Sequence, residues 1–561
     1  MSANTSRSVG AGALFWALVV SASLVFVVRS VHAEQTQFFG VLFDDAYISL
    51  RHALNFWLGH GFNFNPGERV EGYTNFLYTA LMSGAFFLDL PPELWIKCIG
   101  VASGVAVVVG TGVLARPLVG PAAGGLLALG LALAEGLPLF AASGMETILF
   151  AALLTWGFAL VFRSWWVTAS VAFALAAMAR MEAVLVYGVA GLYVLVFALR
   201  GAVGPGRLRD GLRAPLAFAL PFGVLFGGFY ATRWSYYGHP FPNTYYAKVG
   251  SVSNSYERGL EHLQLMTSHM GLRAALGIAA LAVAVWLLAL CWRRRAAARE
   301  NVGVGDALWP AQVAALLGAC GLYLAYTIRV GGDSHVTFGD RFLVHVLPLL
   351  AVGLVGSLAG ALSSVRLAVG GPRPSPVDTE SRWLRAVATA AAACLALTLA
   401  LSRCPALDRS FEGASGWASL GVYLRQTAEA GDVVATTAAG AIPYFSRLQA
   451  IDMYGLADPN IAHKEKPGLG RGLAAHEKMD MAYVLGRKPR YIANWLPRRG
   501  PVRIEGYRLA GLVRMDGSVI DPARVLQLDA QPTRQELTRL RDGRGAVPGR
   551  YSFALFERVS D

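Results

Sequence analysis

The stretch Phe43-Asp-Asp-Ala-Tyr-Ile-Ser-Leu-Arg-His-Ala-Leu-Asn-Phe-Trp-Leu58 reads as a helix with two unlike sides. At 100° per residue, Phe43, Tyr47, Leu50, Leu54 and Leu58 fall on one side, while Asp44, Arg51 and Asn55 share a meridian with Asp45, Ser49 and His52 beside them. A helix of this kind lies along a membrane surface with its apolar side in the lipid. The pattern predicts an interfacial helix over 43–58 that presents two carboxylates, an Arg and a His to a cavity above the lipid. Asp44 and Asp45 also stand where acids favour a helix N-terminus electrostatically. That accounts readily for one of them and leaves the second asking for a further task.

The surrounding sequence supplies the membrane. The 561 residues are 55% hydrophobic and 15% charged, and the mean hydropathy of +0.46 excludes an ordinary water-soluble globular protein. The net charge of +13 resides largely in Arg clusters within short connections between apolar runs, which marks a cytoplasmic membrane face and implies no nucleic-acid partner. The five cysteines are scattered, without disulfide or zinc spacing. Apolar runs near membrane length appear at 10–28, 95–115, 118–134, 147–162, 165–180, 182–199, 213–231, 271–291, 308–328, 342–362 and 385–401, or about eleven spans. The first is read as an uncleaved anchor rather than a signal peptide, since no small-residue cleavage site follows it directly.

The segment 72–90 is also apolar, but counting outward from Arg116, Arg163, the 200–213 loop, Arg293-Arg-Arg295 and the 366–385 loop leaves both its ends outside. It is therefore expected to lie in the outer interface without crossing. The expected architecture is an all-α polytopic membrane domain over 1–401, followed by a C-terminal extracytoplasmic α/β domain over 402–561. The tail alternates short apolar strands with turns, as in Asp432-Val-Val-Ala-Thr-Thr437 and Gln449-Ala-Ile-Asp-Met453. The protein is expected in the inner membrane of a bacterial cell, N-terminus in the cytoplasm.

Ionisable residues gather at the outer ends of the spans, where they are costly unless they work or pair. These are Ser143-Gly-Met-Glu-Thr147, Arg180-Met-Glu182, the aromatic segment Arg233 to Lys248 with Asn243, and Gly331-Gly-Asp333 followed by Arg341. Each has a plain alternative. Glu146 suits a helix first turn, Arg180 and Glu182 suit an ion pair at a tight hairpin, and His335 suits a polar loop.

Together these segments resemble the GT-C superfamily of membrane glycosyltransferases, and most of all the terminal arabinofuranosyltransferases of actinobacterial cell walls. The likeness is carried, in order along the chain, by Asp44-Asp-Ala-Tyr-Ile-Ser-Leu-Arg51, Gly59-His-Gly-Phe-Asn-Phe-Asn-Pro-Gly-Glu-Arg-Val-Glu71, Ser143-Gly-Met-Glu-Thr147, Arg180-Met-Glu182, Tyr236-Tyr-Gly to Lys248, and Gly331-Gly-Asp with Arg341-Phe. Two features depart from the family: the loop after Asp333 is longer, and Arg-Met-Glu stands where Arg-Pro-Glu or Arg-Pro-Asp is commoner. The resemblance implies a polyprenyl phosphate sugar as donor, used on the extracytoplasmic face, with Asp44 as the base.

A phosphate leaving group needs no strong acid, so one carboxylate that accepts the acceptor's proton suffices, unlike the paired acids of a glycosidase. Charge on the departing phosphate then needs cations. Arg51, Arg180, Lys248 and Arg341 are the candidates, with Glu146, Asn243 and Asp333 as further substrate-binding residues. Asp45 is expected to orient Asp44 or to share a divalent metal ion (Mg, Mn or Ca) with Glu146. The acceptor is a glycan, a lipid or a protein. Tyr444, Asp452, Tyr454, Asp458, His476 and Glu477 are the C-terminal groups that could line its path. A transporter or flippase of polyprenyl-linked sugars is the alternative, although transporters concentrate ionisable groups near mid-membrane in repeated, broken helices.

Overall fold

The computed structural model describes residues 2–201, 208–249, 252–269, 271–273, 276–277, 309–332, 341–369, 377–402, 411–497 and 502–559. Among them, seven helices are long and apolar enough to cross a membrane: Gly10–Phe38, Pro92–Val119, Ala183–Arg200, Gly211–Tyr237, Pro310–Val330, Arg341–Leu362 and Trp383–Ala400. Pro121–Leu133 and Gly136–Ala142, bent by 57°, make an eighth if counted as one broken span. This is a multi-pass membrane protein. Two further expected spans form the shorter apolar helices Thr147–Val161 and Trp166–Ala179; at 15 and 14 residues they reach about 22 Å, less than the ~30 Å hydrocarbon core. The expected span 271–291 falls mostly outside the described residues.

Local sequence explains the close packing of the bundle. Pro92 and Pro121 each open a helix, where a missing N–H costs nothing. Small residues let the backbones meet: a Cβ on Gly104 would stand 2.0 Å from the Phe26 ring of the first span, and one on Gly100 2.0 Å from the Ala141 carbonyl. The helix Arg341–Val369 runs through the middle, and every residue from 341 to 357 is buried. One polar pair lies within this apolar interior, the Tyr323 hydroxyl 2.5 Å from His345 Nδ1.

Two further helices adjoin this bundle, and the first of them also meets the C-terminal domain. Asp44–Trp57 has 14 residues and Phe76–Phe87 has 12, and they pack on each other. The Asp44 helix is covered on both sides, with all residues from Ala46 to Asn55 buried. Tyr47, Leu50 and Leu54 join the core of the bundle, while Ile48 joins the core of the C-terminal domain.

That domain begins with the helix Phe411–Thr427 and carries a six-stranded mixed sheet. Its strands are β1 (Val433–Thr436), β2 (Gln449–Asp452), β3 (Tyr491–Trp495), β4 (Tyr507–Arg514), β5 (Val525–Gln527) and β6 (Tyr551–Arg558), in the spatial order β2-β1-β3-β6-β4-β5. β1 is parallel to both its neighbours and the remaining pairs are antiparallel. The loops after β1 and β2 abut the membrane domain. The Asn65 side chain pairs with both backbone groups of Ala450 at 2.8 and 3.0 Å, which covers the exposed edge of β2.

Candidate active site

A cavity of about 390 Å³ opens where the bundle meets the C-terminal domain. Its polar wall is built from separate segments joined by a chain of hydrogen bonds. Ser49 Oγ, on the Asp44 helix, donates to Asn75 Oδ1 at 3.0 Å, and Asn75 Nδ2 donates to Glu146 Oε2 at 2.9 Å. The other Glu146 oxygen accepts from Arg180 Nη1 at 2.5 Å, and Arg180 Nε donates to Glu182 at 2.6 Å.

Local chemistry sets each member in place. Asn75 stands at the N-terminus of the helix Phe76–Phe87. Glu146 precedes the helix Thr147–Val161 and is reached through Gly144, whose φ of +82° suits glycine. A Cβ on Gly144 would stand 3.0 to 3.1 Å from Leu42 and Ala46, so this glycine also lets the Ser143-Gly-Met-Glu turn rest against the start of the Asp44 helix. The Phe43 amide donates to the Ser143 carbonyl there at 3.0 Å. Arg180 occupies the extended break between the helices Trp166–Ala179 and Ala183–Gly201.

Asp45, Lys248, Arg258 and Arg341 complete the charged lining, and Met181, Val184, Phe241, Tyr245 and Phe342 supply apolar surface. Burial raises the Glu146 pKa, but Arg180, Arg341 and the Asn75 amide outweigh it and hold the carboxyl below its ordinary value. Glu146 is thus a fixed anion facing guanidinium groups. The carboxylate of the half-buried Asp45 makes no hydrogen bond or ion pair with any described residue.

The residues singled out in the sequence divide between two places. Asp45, Glu146, Arg180, Lys248 and Arg341 share the cavity. Asp44, Arg51 and Asn243 grip the C-terminal domain instead. The Asp44 carboxylate accepts from the amides of Gly440 and Ala441 at 3.1 and 2.7 Å. A Cβ on Gly440 would come within 1.8 Å of the Asp44 carbonyl oxygen, so only glycine permits this seat. Arg51 donates to the carbonyls of Pro443, Leu448 and Phe64 and to Asn65, and Asn243 Nδ2 donates to the carbonyls of Gly455 and Leu456. Asp333 and His335 lie outside the described residues.

In the C-terminal set, Glu477 meets the cavity wall through Arg258 at 2.9 Å, and Tyr444 packs on Tyr47 with ring centroids 5.3 Å apart. Asp452 is internal, accepting from the Tyr454 and Ala457 amides. Asp458 caps the helix Pro459–His463. Tyr454 and His476 pack on each other.

The proposed metal pair does not fit this arrangement. Both Glu146 oxygens are engaged, one by a guanidinium and one by an amide, and the carboxylate faces two arginines, which is a poor donor set for a divalent cation. Among the described residues no group of three or more His, Cys, Asp or Glu side chains converges as a metal site.

Sequence reasoning missed Asn75 and Arg258. Asn75 belongs to the polar start of the 72–90 segment, and a polar residue opening an apolar helix beside an acidic loop was the available signal. Arg258 lies in the polar helix Val252–His269, where nothing in the sequence sets it apart.

A family model described as a domain of unknown function, DUF8728, matches residues 409–536, within the C-terminal domain. No curated protein matches the chain. Among solved structures, ArnT from Cupriavidus metallidurans bound to undecaprenyl phosphate aligns with a TM-score of 0.50 at 13% identity, over 85% of this chain and 93% of that one. This chain shares the fold of that structure. The apo state of the same protein aligns at 0.45 and 14% identity, over 88% and 94% of the two chains. The oligosaccharyltransferase of Archaeoglobus fulgidus, tethered with an acceptor peptide, aligns at 0.46 and 12%, over 86% and 69%. At these identities the likeness is one of fold.

Proposed function

We propose that this chain is a membrane transferase that moves a sugar from a polyprenyl phosphate donor to an acceptor hydroxyl on the extracytoplasmic face. One observation carries the reading: the same cavity is lined by Asp45, a carboxylate with no hydrogen-bond or ion-pair partner among the described residues, and by Arg180, Lys248, Arg258 and Arg341. The undecaprenyl phosphate bound by ArnT supports a lipid phosphate as the ligand of that wall. The Arg-rich connections support a cytoplasmic N-terminus and an extracytoplasmic C-terminal domain in a bacterial inner membrane. The motif resemblance supports an arabinofuranose-like sugar.

In this mechanism the cationic wall holds the donor phosphate, and Asp45 takes the proton of the acceptor hydroxyl as its oxygen attacks the anomeric carbon. The bond from that carbon to the phosphate oxygen breaks, its electron pair leaves with the phosphate, and the configuration inverts. Glu146 and Glu182 fix the Arg180 guanidinium in advance of the charge it meets. Asp44, the base that the resemblance implies, has a carboxyl pushed up to about 7, which matches proton transfer near neutrality. Its two backbone hydrogen bonds favour instead the role of seating the C-terminal domain. A transporter would hold its charges at mid-membrane, whereas Asp45, Glu146, Arg180, Lys248 and Arg341 lie at or next to helix ends.

The decisive test incubates membranes containing the protein with a panel of radiolabelled polyprenyl phosphate sugars and an envelope glycan extract. Transfer of label from at least one donor, lowered about 10²-fold or more by Asp45→Asn in a correctly inserted protein, is expected. Carrier-dependent movement of intact lipid-linked sugar across vesicles, without transfer, would replace this reading with transport.

A further inference from the structure

A second groove of about 450 Å³ adjoins the cavity and shares Tyr245 and Val249 with it. One side comes from the membrane domain, through Tyr245, Tyr246 and Val249, and the other from the segment Ala462 to Lys478 of the C-terminal domain. Three lysines and a histidine line it against one acid, Glu465.

Two of these lysines are held by backbone carbonyls. Lys478 Nζ is held by the carbonyls of Tyr246 and Ala462 at 3.1 and 2.5 Å, and Lys466 by the carbonyl of Glu477. Neither forms an ion pair with a described residue; Lys464 pairs with Asp480. Because Lys478 bridges both domains and is itself buried, its charge is a built part of the groove rather than a solvated surface group. Burial, with His239 and Lys478 beside it, holds the His463 imidazole below its ordinary value, which agrees with a positive local field. The Tyr246 and His463 rings stack at 4.2 Å, with His239 5.0 Å from His463.

A ring surface of this kind receives the C–H face of a sugar, and ammonium groups around it attract carboxylate or phosphate substituents. A neutral acceptor would leave the cations without a role, and a lipid acceptor would not need a groove walled by the C-terminal domain.

We infer that this groove is the acceptor subsite, and that it takes an anionic glycan chain whose terminal hydroxyl reaches Asp45 past Tyr245. The inference rests on the transferase reading, because it gives the second substrate of the same cavity a place and a charge.

The test measures binding to the full-length protein in detergent, using a galacturonic acid hexamer as anionic probe and a glucose hexamer as neutral probe. The anionic probe is expected to bind at least about ten-fold more tightly, with an affinity that falls as salt is raised. The double variant Lys464→Glu/Lys466→Glu should remove that preference, and His463→Ala should weaken both probes. Equal binding of the two hexamers, or an unchanged preference in the double variant, overturns the inference. Undecaprenyl phosphate binding in the same preparation separates the two readings. If the lipid binds and the anionic hexamer does not, the groove fails alone. If the hexamer binds selectively and the lipid does not, the donor reading fails.

Discussion

Asp44 and Asp45 are neighbours in sequence and face opposite fates. Asp44 gives both oxygens to backbone amides of the C-terminal domain, while Asp45 turns into the cavity without a protein partner among the described residues. The same division runs along their helix. Arg51 follows Asp44 to the C-terminal domain, and Ser49 follows Asp45 to the cavity wall through Asn75. A carboxylate whose acceptor sites are filled by fixed amides is well suited to hold structure. One left open to a cavity is suited to accept a proton.

The comparison can be broken most directly at the pair itself. Asp45→Asn is expected to lower transfer by about 10²- to 10⁴-fold, the usual worth of a general base, with little change in melting temperature, whereas Asp44→Asn should keep transfer within about ten-fold. The reverse pattern in the radiolabel assay would return the base to Asp44.

Next comes Arg180. Replacing it by Ala takes the ion pair from Glu182 and the closest cation from Glu146, which keeps only Asn75 as a hydrogen-bond partner, and a loss of about 3–5 kcal/mol of stability is expected. Thermal unfolding in detergent reads this, and Arg180→Lys should recover part of the stability but little transfer, because a single ammonium does not reproduce the guanidinium fork.

Arg51→Met removes hydrogen bonds to three carbonyls and one amide side chain and is expected to cost about 2–3 kcal/mol. Limited proteolysis should then release the C-terminal domain sooner, with the transfer rate falling only as far as the folded fraction does. A large loss of transfer in intact protein would move Arg51 back among the phosphate ligands.

The smallest effect belongs to pH. Burial pushes the Asp44 carboxyl from 3.8 up to about 7, with the Ala441 amide opposing and the Asp45 charge adding. A group that holds its proton more tightly when folded contributes stability that is full below its unfolded pKa and lost as the pH climbs through the folded one. The melting temperature should therefore decline between about pH 4 and about pH 7, and Asp44→Asn should flatten the Asp44 share of that decline. An equal slope in the variant would show that the carboxyl does not titrate at the seam.

Much of this was legible in the sequence. Hydropathy set the membrane class, and the helical wheel put Asp44 and Arg51 on one meridian with Asp45 and Ser49 beside them, all on one polar side expected to face a cavity. The Arg180–Glu182 ion pair was also open to reading as a tight hairpin pair, and it is one. The wheel could not tell which meridian met the cavity, because the partners of Asp44 lie 396 and 397 residues further along the chain. Arg51 and Asn243 have the chemistry of phosphate ligands. Only the backbone carbonyls that surround them reveal another use. The shorter helices Thr147–Val161 and Trp166–Ala179 end within one residue of the expected runs 147–162 and 165–180, but an apolar run marks burial in lipid or in protein alike and does not say which.

The chain of contacts from Ser49 to Glu182 also sets an order of events during synthesis. Its links join residues 26, 71 and 34 positions apart, so the polar wall closes only once the segment around residue 182 has emerged. The Asp44 seat waits longer still, for Gly440. A half-made chain therefore carries its acids before the residues that complete the pocket have been added.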